Sequence, residues 1–172
     1  VIREVQGDIL LSNAAVIAHG VAPNDDFKRG LALALRERWP AMYKDFQHHA
    51  KTHPGCGQIW TWGGANTNGG ATRIANLFTQ EPSPAHGTPP GRAKIEHVNH
   101  ALKALASYLA SEKASSVALP KLGTGVGALE WQEVRPLIEK HLGSLSIPVI
   151  LYTTYKKGVA ADEKLAVART QA

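Results

Sequence analysis

The stretch Pro120–Trp131, PKLGTGVGALEW, decides the fold. It sets Gly123, Thr124, Gly125 and Gly127 between an apolar run, Ser115–Leu119 (SSVAL), and a helical pattern over Trp131–Leu142 whose apolar positions are Val134, Leu137, Ile138 and Leu142. Glycine lets a backbone curl tightly and bring its N–H groups to a ligand without a Cβ in the way. Such a loop can cradle oxyanions, and a diphosphate is its natural guest. The same glycines also suit a plain strand-to-helix turn, and spacing alone leaves both readings open.

Outward from this stretch, apolar runs alternate with helical patterns. Val1–Val5, Ala15–His19, Gln58–Trp62, Thr72–Phe78 and Ile147–Thr153 read as further strands. GGANTNGG between the third and fourth of these runs has the composition of a hairpin turn or a mobile loop. Helices are expected over Gly30–Arg38, ending before Pro40, over Pro40–Ala50, and over Lys94–Glu112, where Ile95, Val98, Leu102, Leu105, Ala106 and Leu109 form one stripe. EPSPAHGTPPG, Glu81–Gly91, carries too much proline and glycine for either element and reads as an exposed loop. The tail from Lys156 onward is charged and alanine-rich, and is expected to fray or form a short surface helix.

Strands separated by helices, some of them short continuous apolar runs such as VILY, argue for an α/β layer structure with its sheet covered on both faces. Ligands of such sheets gather beyond the carboxyl ends of the strands. Two loops lie there in front of helix N-termini: HGVAPNDDFKRG, His19–Gly30, and the glycine loop. At 172 residues, 44% hydrophobic and 19% charged, the chain has the composition of one globular domain. The net charge of +5 favours anionic partners such as nucleotides or nucleic acid, yet no block of about five or six consecutive basic residues exists. Cys56 is the single cysteine, which excludes an internal disulfide, fits a reducing, cytoplasmic compartment and reads as a small buried hydrophobe. No apolar run approaches the roughly 20 residues that span a bilayer, so no membrane partner is expected. His48, His49 and His53 cluster without a cysteine or carboxylate set at ligand spacing, so they read as an exposed helix end and no metal is expected.

GDIL at Gly7–Leu10, IAHGVAPNDDFKRGLALALRERWP at Ile17–Pro40, the strand IANLFTQ, LPKLGTGVGALEW and LYT at Leu151–Thr153 together resemble the macrodomains, which bind ADP-ribose. The resemblance is strongest to the branch that holds ADP-ribosyl glycohydrolases acting on protein or DNA and an ADP-ribose-1″-phosphate phosphatase. It implies a three-layer α/β/α macrodomain over residues 1–155, followed by a tail over 156–172. Its mixed, mostly parallel sheet would have about six strands.

That resemblance also implies roles. Asp8 would accept from the adenine amino group beside the Ile9 N–H, and Tyr152 would stack on adenine. Leu122, Gly123, Thr124, Gly125, Val126 and Gly127 would wrap the diphosphate. Phe27, Lys28, Arg29 and Gly30 would close over the distal ribose, with His19 at the mouth of the site and Thr79 and Gln80 at the strand end beside it. Two departures bear on chemistry. Gln80 stands where relatives carry a lysine, and Gly127 where the glycohydrolase acting on protein carries an aspartate. Cleavage of a glycosidic bond to ribose calls for a carboxylate and an aligned water. Asp25 and Asp26 are the candidates by position, with His19 beside them, although a DD pair in a loop also serves as turn and cap. Glu81 and His86 are weaker candidates. The expected function is removal of mono-ADP-ribose from a protein or nucleic acid without a further cofactor. The alternatives are a non-catalytic ADP-ribose reader and an ADP-ribose-1″-phosphate phosphatase.

Overall fold

The computed structural model describes residues 1–85 and 87–165, so His86 and the end of the tail lie outside the described residues. Six strands, β1 (Ile2–Gly7), β2 (Val16–Val21), β3 (Ile59–Ala65), β4 (Ala71–Phe78), β5 (Val117–Pro120) and β6 (Val149–Tyr155), form one sheet in the order β1-β6-β5-β2-β4-β3. Neighbours pair parallel except β3 with β4, which form an antiparallel hairpin along one edge. Four helices, α1 (Gly30–Arg38), α2 (Pro40–Ala50), α3 (Ile95–Ser111) and α4 (Trp131–Leu142), cover its two faces. Three of the expected helices keep their bounds, and α3 starts and ends one residue inside its expected range.

Side-chain alternation along the strands builds the layers. Val16 and Ala18 of β2, Ala75 and Leu77 of β4, and Val117 and Leu119 of β5 face the layer of α3 and α4, where Val98, Leu102, Leu105, Val134 and Ile138 meet them. The intervening residues Ile17, Ile74, Phe78, Ala118 and Ile150 face α1 and α2, packing on Leu35, Trp39, Met42 and Phe46. β3 runs on through Gly63, Gly64 and Ala65, past the expected strand end. The indole N–H of Trp39 donates to the Ala65 carbonyl at 3.0 Å and holds that extension against α1.

β2 and β5 hydrogen-bond over only two register pairs, Val16 with Val117 and Ile17 with Ala118. Beyond them the strands part, and a cleft opens at their carboxyl ends.

After β6 the chain neither frays nor forms a helix through residue 165. It folds back over β1 and the 3₁₀ turn Ile9–Leu11. The Asp8 N–H donates to the Val159 carbonyl at 2.7 Å, and the Arg3 guanidinium donates to the Glu163 carbonyl at 2.9 Å. The Glu163 carboxylate is buried and accepts from the Ser12 hydroxyl, the Asn13 N–H and the Tyr152 hydroxyl. Burying a carboxylate is tolerable only with such a set of donors. Glu163→Ala leaves those donors unpaired and is expected to lower stability by about 1–3 kcal/mol in urea denaturation, with Tyr152→Phe costing less.

Candidate functional site

The cleft has a volume of about 350 Å³ and is walled by His19 and Gly20 of β2, Asp25, Arg29 and the first residues of α1, Gln80, and the loop Pro120–Gly127. An apolar compartment of about 340 Å³, lined by Ile9, Leu31, Ala34, Pro120, Tyr152 and Tyr155, adjoins it. Gly30, Leu31, Pro120, Tyr152 and Tyr155 border both. One end of the site is thus apolar and the other rich in main-chain donors.

The glycine loop owes its shape to two positions. Gly123 has φ +70°, a conformation costly for other residues, and its carbonyl accepts the Leu129 N–H at 2.8 Å. A Cβ on Gly127 would stand 2.6 Å from the Gly123 carbonyl oxygen and 2.7 Å from the Ala93 Cβ. The loop is thereby wound tightly over the start of α3. Among the described residues the N–H groups of Leu122 to Gly127 have no hydrogen-bond acceptor in the protein. They border the cleft opposite the N-terminus of α1, whose first amides are also without helical partners. Two sets of main-chain donors therefore face one space, which is the electrostatic form of an anion site.

Leu122, Gly123, Thr124, Gly125, Val126, Gly127, Arg29, Gly30, His19, Gln80, Asp25 and Tyr152 all reach the cleft as the sequence places them. Ile9 lines the apolar compartment. Asp8 lies beside that compartment but outside its lining. Its carboxylate caps the 3₁₀ turn by accepting the Leu10 N–H at 3.0 Å, and accepts the Gly158 N–H at 2.9 Å.

Four of the expected residues lie off the cleft. Phe27 is outside its lining, fully buried against His19, Tyr43 and Phe46, with φ +52°. That backbone strain is held by the aromatic packing and by the Phe27 N–H, which donates to Asp25 at 2.9 Å. Lys28 is exposed and outside the lining. Thr79 is fully buried behind Gly20, its hydroxyl without a partner, and does not reach the cleft. Asp26 is outside the lining and pairs with Arg29 at 3.1 Å. Two further readings shift. Cys56 is half-buried rather than buried, and His49 stacks on Trp60 rather than lying free at a helix end.

Of the two aspartates, Asp25 faces the cleft. It accepts from the N–H groups of Ala22 and Phe27. Burial pushes its carboxyl pKa upward, against the pull of those two donors. Gln80 donates through Nε2 to the Gly91 carbonyl at 3.2 Å, so it braces the loop after β4. His19 is buried, and its Nε2 meets Asn76 Oδ1. Asn76 Nδ2 points to the Trp60 carbonyl, so its oxygen is the acceptor and His19 Nε2 carries the proton. Burial brings the His19 pKa down to about 4, outweighing the Asn76 hydrogen bond, so the ring is neutral at pH 7.

Tyr155 was missed by sequence reasoning. It is half exposed and borders both compartments, whereas the Tyr152 ring is buried with its hydroxyl committed to Glu163. The signal was an aromatic residue closing LYTTY at the strand end.

The family model for the Macro domain matches residues 15–138, and the chain belongs to that family. It is 25% identical over 166 residues to a DNA ADP-ribosyl transferase–DNA ADP-ribosyl glycohydrolase fusion protein of Thermosipho africanus, covering 90% of this chain and 42% of that one. It is 26% identical over 145 residues to a DNA ADP-ribosyl glycohydrolase of Thermus aquaticus, covering 84% and 38%. The chain thus spans about two fifths of the length of these relatives. The solved macrodomain of Thermus aquaticus DarG superimposes with a TM-score of 0.77 at 24% identity, over 89% of this chain and 98% of that one. Among the described residues no helix is long and apolar enough to cross a membrane.

The depressed His19 pKa sets a pH dependence. Below pH 6.5 the unfolded chain takes up a proton that the native ring refuses. His19 therefore removes stability as pH falls from about 6.5 to about 4, by roughly 3 kcal/mol in all. His19→Gln, which keeps an N–H for Asn76, is expected to flatten that part of the stability curve in urea denaturation at stepped pH.

Proposed function

We propose that this chain binds ADP-ribose and hydrolyses its bond to a modified macromolecule. The observation that carries the reading is Asp25, a buried carboxyl with a raised pKa in the wall of the same cleft as the unpartnered amides of the glycine loop. The two compartments match the two ends of the ligand. Adenine suits the apolar space beside Ile9 and Tyr155. The diphosphate suits the amides of Gly123–Gly127 and the first turn of α1. The distal ribose then falls toward Asp25 and Gln80.

Cleavage at the anomeric carbon passes through an oxocarbenium-like state. A water oxygen bonds to that carbon while the bond to the modified group breaks. Asp25 takes the water's proton, and the leaving atom collects one from solvent. A carboxyl held above its ordinary pKa is a stronger base than a free one, which suits that task. His19 is neutral and serves as a hydrogen-bonding wall, and Asp26 is spent on Arg29.

The two relatives named as DNA ADP-ribosyl glycohydrolases make ADP-ribosylated DNA the first substrate to try, with ADP-ribosylated protein second. Arg29 and Lys121 at the cleft suit a phosphate-bearing partner. The single thiol suits a reducing, cytoplasmic compartment. A second reading, an ADP-ribose reader without turnover, is favoured by Gln80, which cannot titrate and has its amide tied to Gly91.

Gly125 has open space where a Cβ would stand, so Gly125→Glu is expected to fold normally. It places a negative charge at the diphosphate and weakens ADP-ribose binding by at least about tenfold in calorimetric titration, or about 1.4 kcal/mol. On ADP-ribosylated DNA, Asp25→Asn is expected to lower single-turnover hydrolysis by about 10²–10⁴-fold with binding nearly kept. Asp26→Ala retains most activity in the same assay. Binding without turnover on DNA or protein at high enzyme concentration would replace the hydrolase with the reader. Phosphate release from ADP-ribose-1″-phosphate would replace it with the phosphatase.

A further inference from the structure

Outside the cleft, Cys56, Glu81 and His97 bring a thiol, a carboxylate and an imidazole together, with donor atoms all within 4.8 Å of one another. They come from three segments: the turn that enters β3, the chain just after β4, and the first turn of α3. No sequence motif links positions 56, 81 and 97.

Backbone hydrogen bonds fix the frame that carries them. The Gly57 N–H donates to the Phe78 carbonyl at 2.8 Å, and the Phe78 N–H to the Gln58 carbonyl at 3.0 Å, tying the Cys56 turn to β4. The Glu81 N–H donates to the Arg92 carbonyl, the Gly91 N–H to the Glu81 carbonyl, and the Lys94 N–H to the Thr79 carbonyl. Gly57, at φ +83°, lets α3 approach closely, since a Cβ there would stand 2.9 Å from the His100 Cβ. The three side chains are therefore gathered by the fold and not by chance contact of mobile loops.

Their own contacts are those of a site held by a monovalent cation. Glu81 Oε1 lies 3.1 Å from His97 Nε2 and 2.9 Å from the Lys94 ammonium, and the Cys56 thiol faces the Gln80 carbonyl at 3.5 Å. Lys94 is largely exposed and free to swing out.

We propose that Cys56, Glu81 and His97 form a binding site for zinc, distinct from the ADP-ribose cleft, with a water in the fourth position. Mixed sulfur, nitrogen and oxygen donors suit zinc and exclude magnesium and calcium, which take oxygen alone. Tetrahedral bonds of about 2.0–2.3 Å separate donors by about 3.5 Å, so the cluster needs to close by only about 1 Å. Binding displaces the Lys94 ammonium and releases the thiol proton. Gln80, which lines the cleft, directly precedes Glu81, so the ion braces the base of the loop that borders the site. This inference stands on its own geometry and does not rest on the proposed hydrolase.

The test uses the whole chain. Because Cys56 is the single cysteine, a sulfur-to-cobalt charge-transfer band on titration with Co²⁺ reports this site alone. The expected result is such a band saturating at one equivalent, reversed by Zn²⁺, with zinc raising the melting temperature. Cys56→Ser abolishes the band, and His97→Ala and Glu81→Gln weaken binding at least about tenfold. Lys94→Met, which removes the competing cation, tightens it. Circular dichroism confirms that each variant is folded. Absence of the band at saturating cobalt overturns the proposal. So does zinc binding that survives in both Cys56→Ser and His97→Ala, which would place the ion at His48, His49 and His53.

Discussion

The parting of β2 and β5 after Ile17 and Ala118 is the constraint on which the site depends. Five parallel strands, β1, β6, β5, β2 and β4, send their carboxyl ends to one side of the sheet, and a ladder that stops early leaves main-chain groups there without partners. β2 keeps its ladder to β4 through Val21, while β5 turns at Pro120 into the glycine loop. The carbonyls of Gly123 and Gly125 are satisfied inside that loop by the N–H groups of Leu129 and Ala128, and the Gly127 carbonyl by the Ala93 N–H. The amides of the loop are left over. A loop that satisfies these three carbonyls internally and leaves its N–H groups without partners presents a surface for an anion, with no charged side chain from Leu122 to Leu129.

Much of this was legible in the sequence because the elements that frame the cleft are local patterns. Glycine spacing, Pro40 and the amphipathic stripes of α3 and α4 each carry their own signal, and the helices fell where those signals lie. Departures arise where distant contacts decide. Phe27 sits between Asp26 and Lys28 in a polar loop, and only the aromatic group of Tyr43, Phe46 and His19 shows why its ring is inside. Asp25 and Asp26 are indistinguishable in sequence. The structure separates them: Asp25 lines the cleft with its carboxylate held by the Ala22 and Phe27 amides, and Asp26, outside the lining, pairs with Arg29. The Cys56, Glu81 and His97 group was invisible for the same reason: hydrogen bonds spaced tens of residues apart assemble it.

The polar side chains around the cleft are nearly all spoken for by the protein itself. His19 is held by Asn76, Gln80 by Gly91, and Asp26 by Arg29. That matters for chemistry, since a group already committed to a structural partner has little freedom to move a proton. Asp25 differs in the character of its partners. They are neutral main-chain donors, which orient the carboxylate and only partly offset the cost of burying its charge. With a neutral amide at position 80 and no side chain at 127, Asp25 is the one carboxyl among the residues that line the cleft.

The chain after β6 bears on the apolar compartment beside the cleft. Asp8 and Tyr152 both touch residues 158–163: the Gly158 N–H donates to Asp8, and the Tyr152 hydroxyl donates to Glu163. Glu163 in turn accepts from Ser12 and Asn13, which follow the 3₁₀ turn that carries Ile9. One buried carboxylate therefore ties β6, the turn after β1 and the returning chain into a single frame around the apolar compartment. Its charge is tolerated because three donors converge on it. A fully paired buried carboxylate of this kind fixes where Ile9 and Tyr152 stand, since shifting either element would break hydrogen bonds to a charge that has no access to water. The apolar compartment is thus shaped by a polar network and the amide-lined cleft by bare backbone, and the two are joined across Gly30 and Pro120.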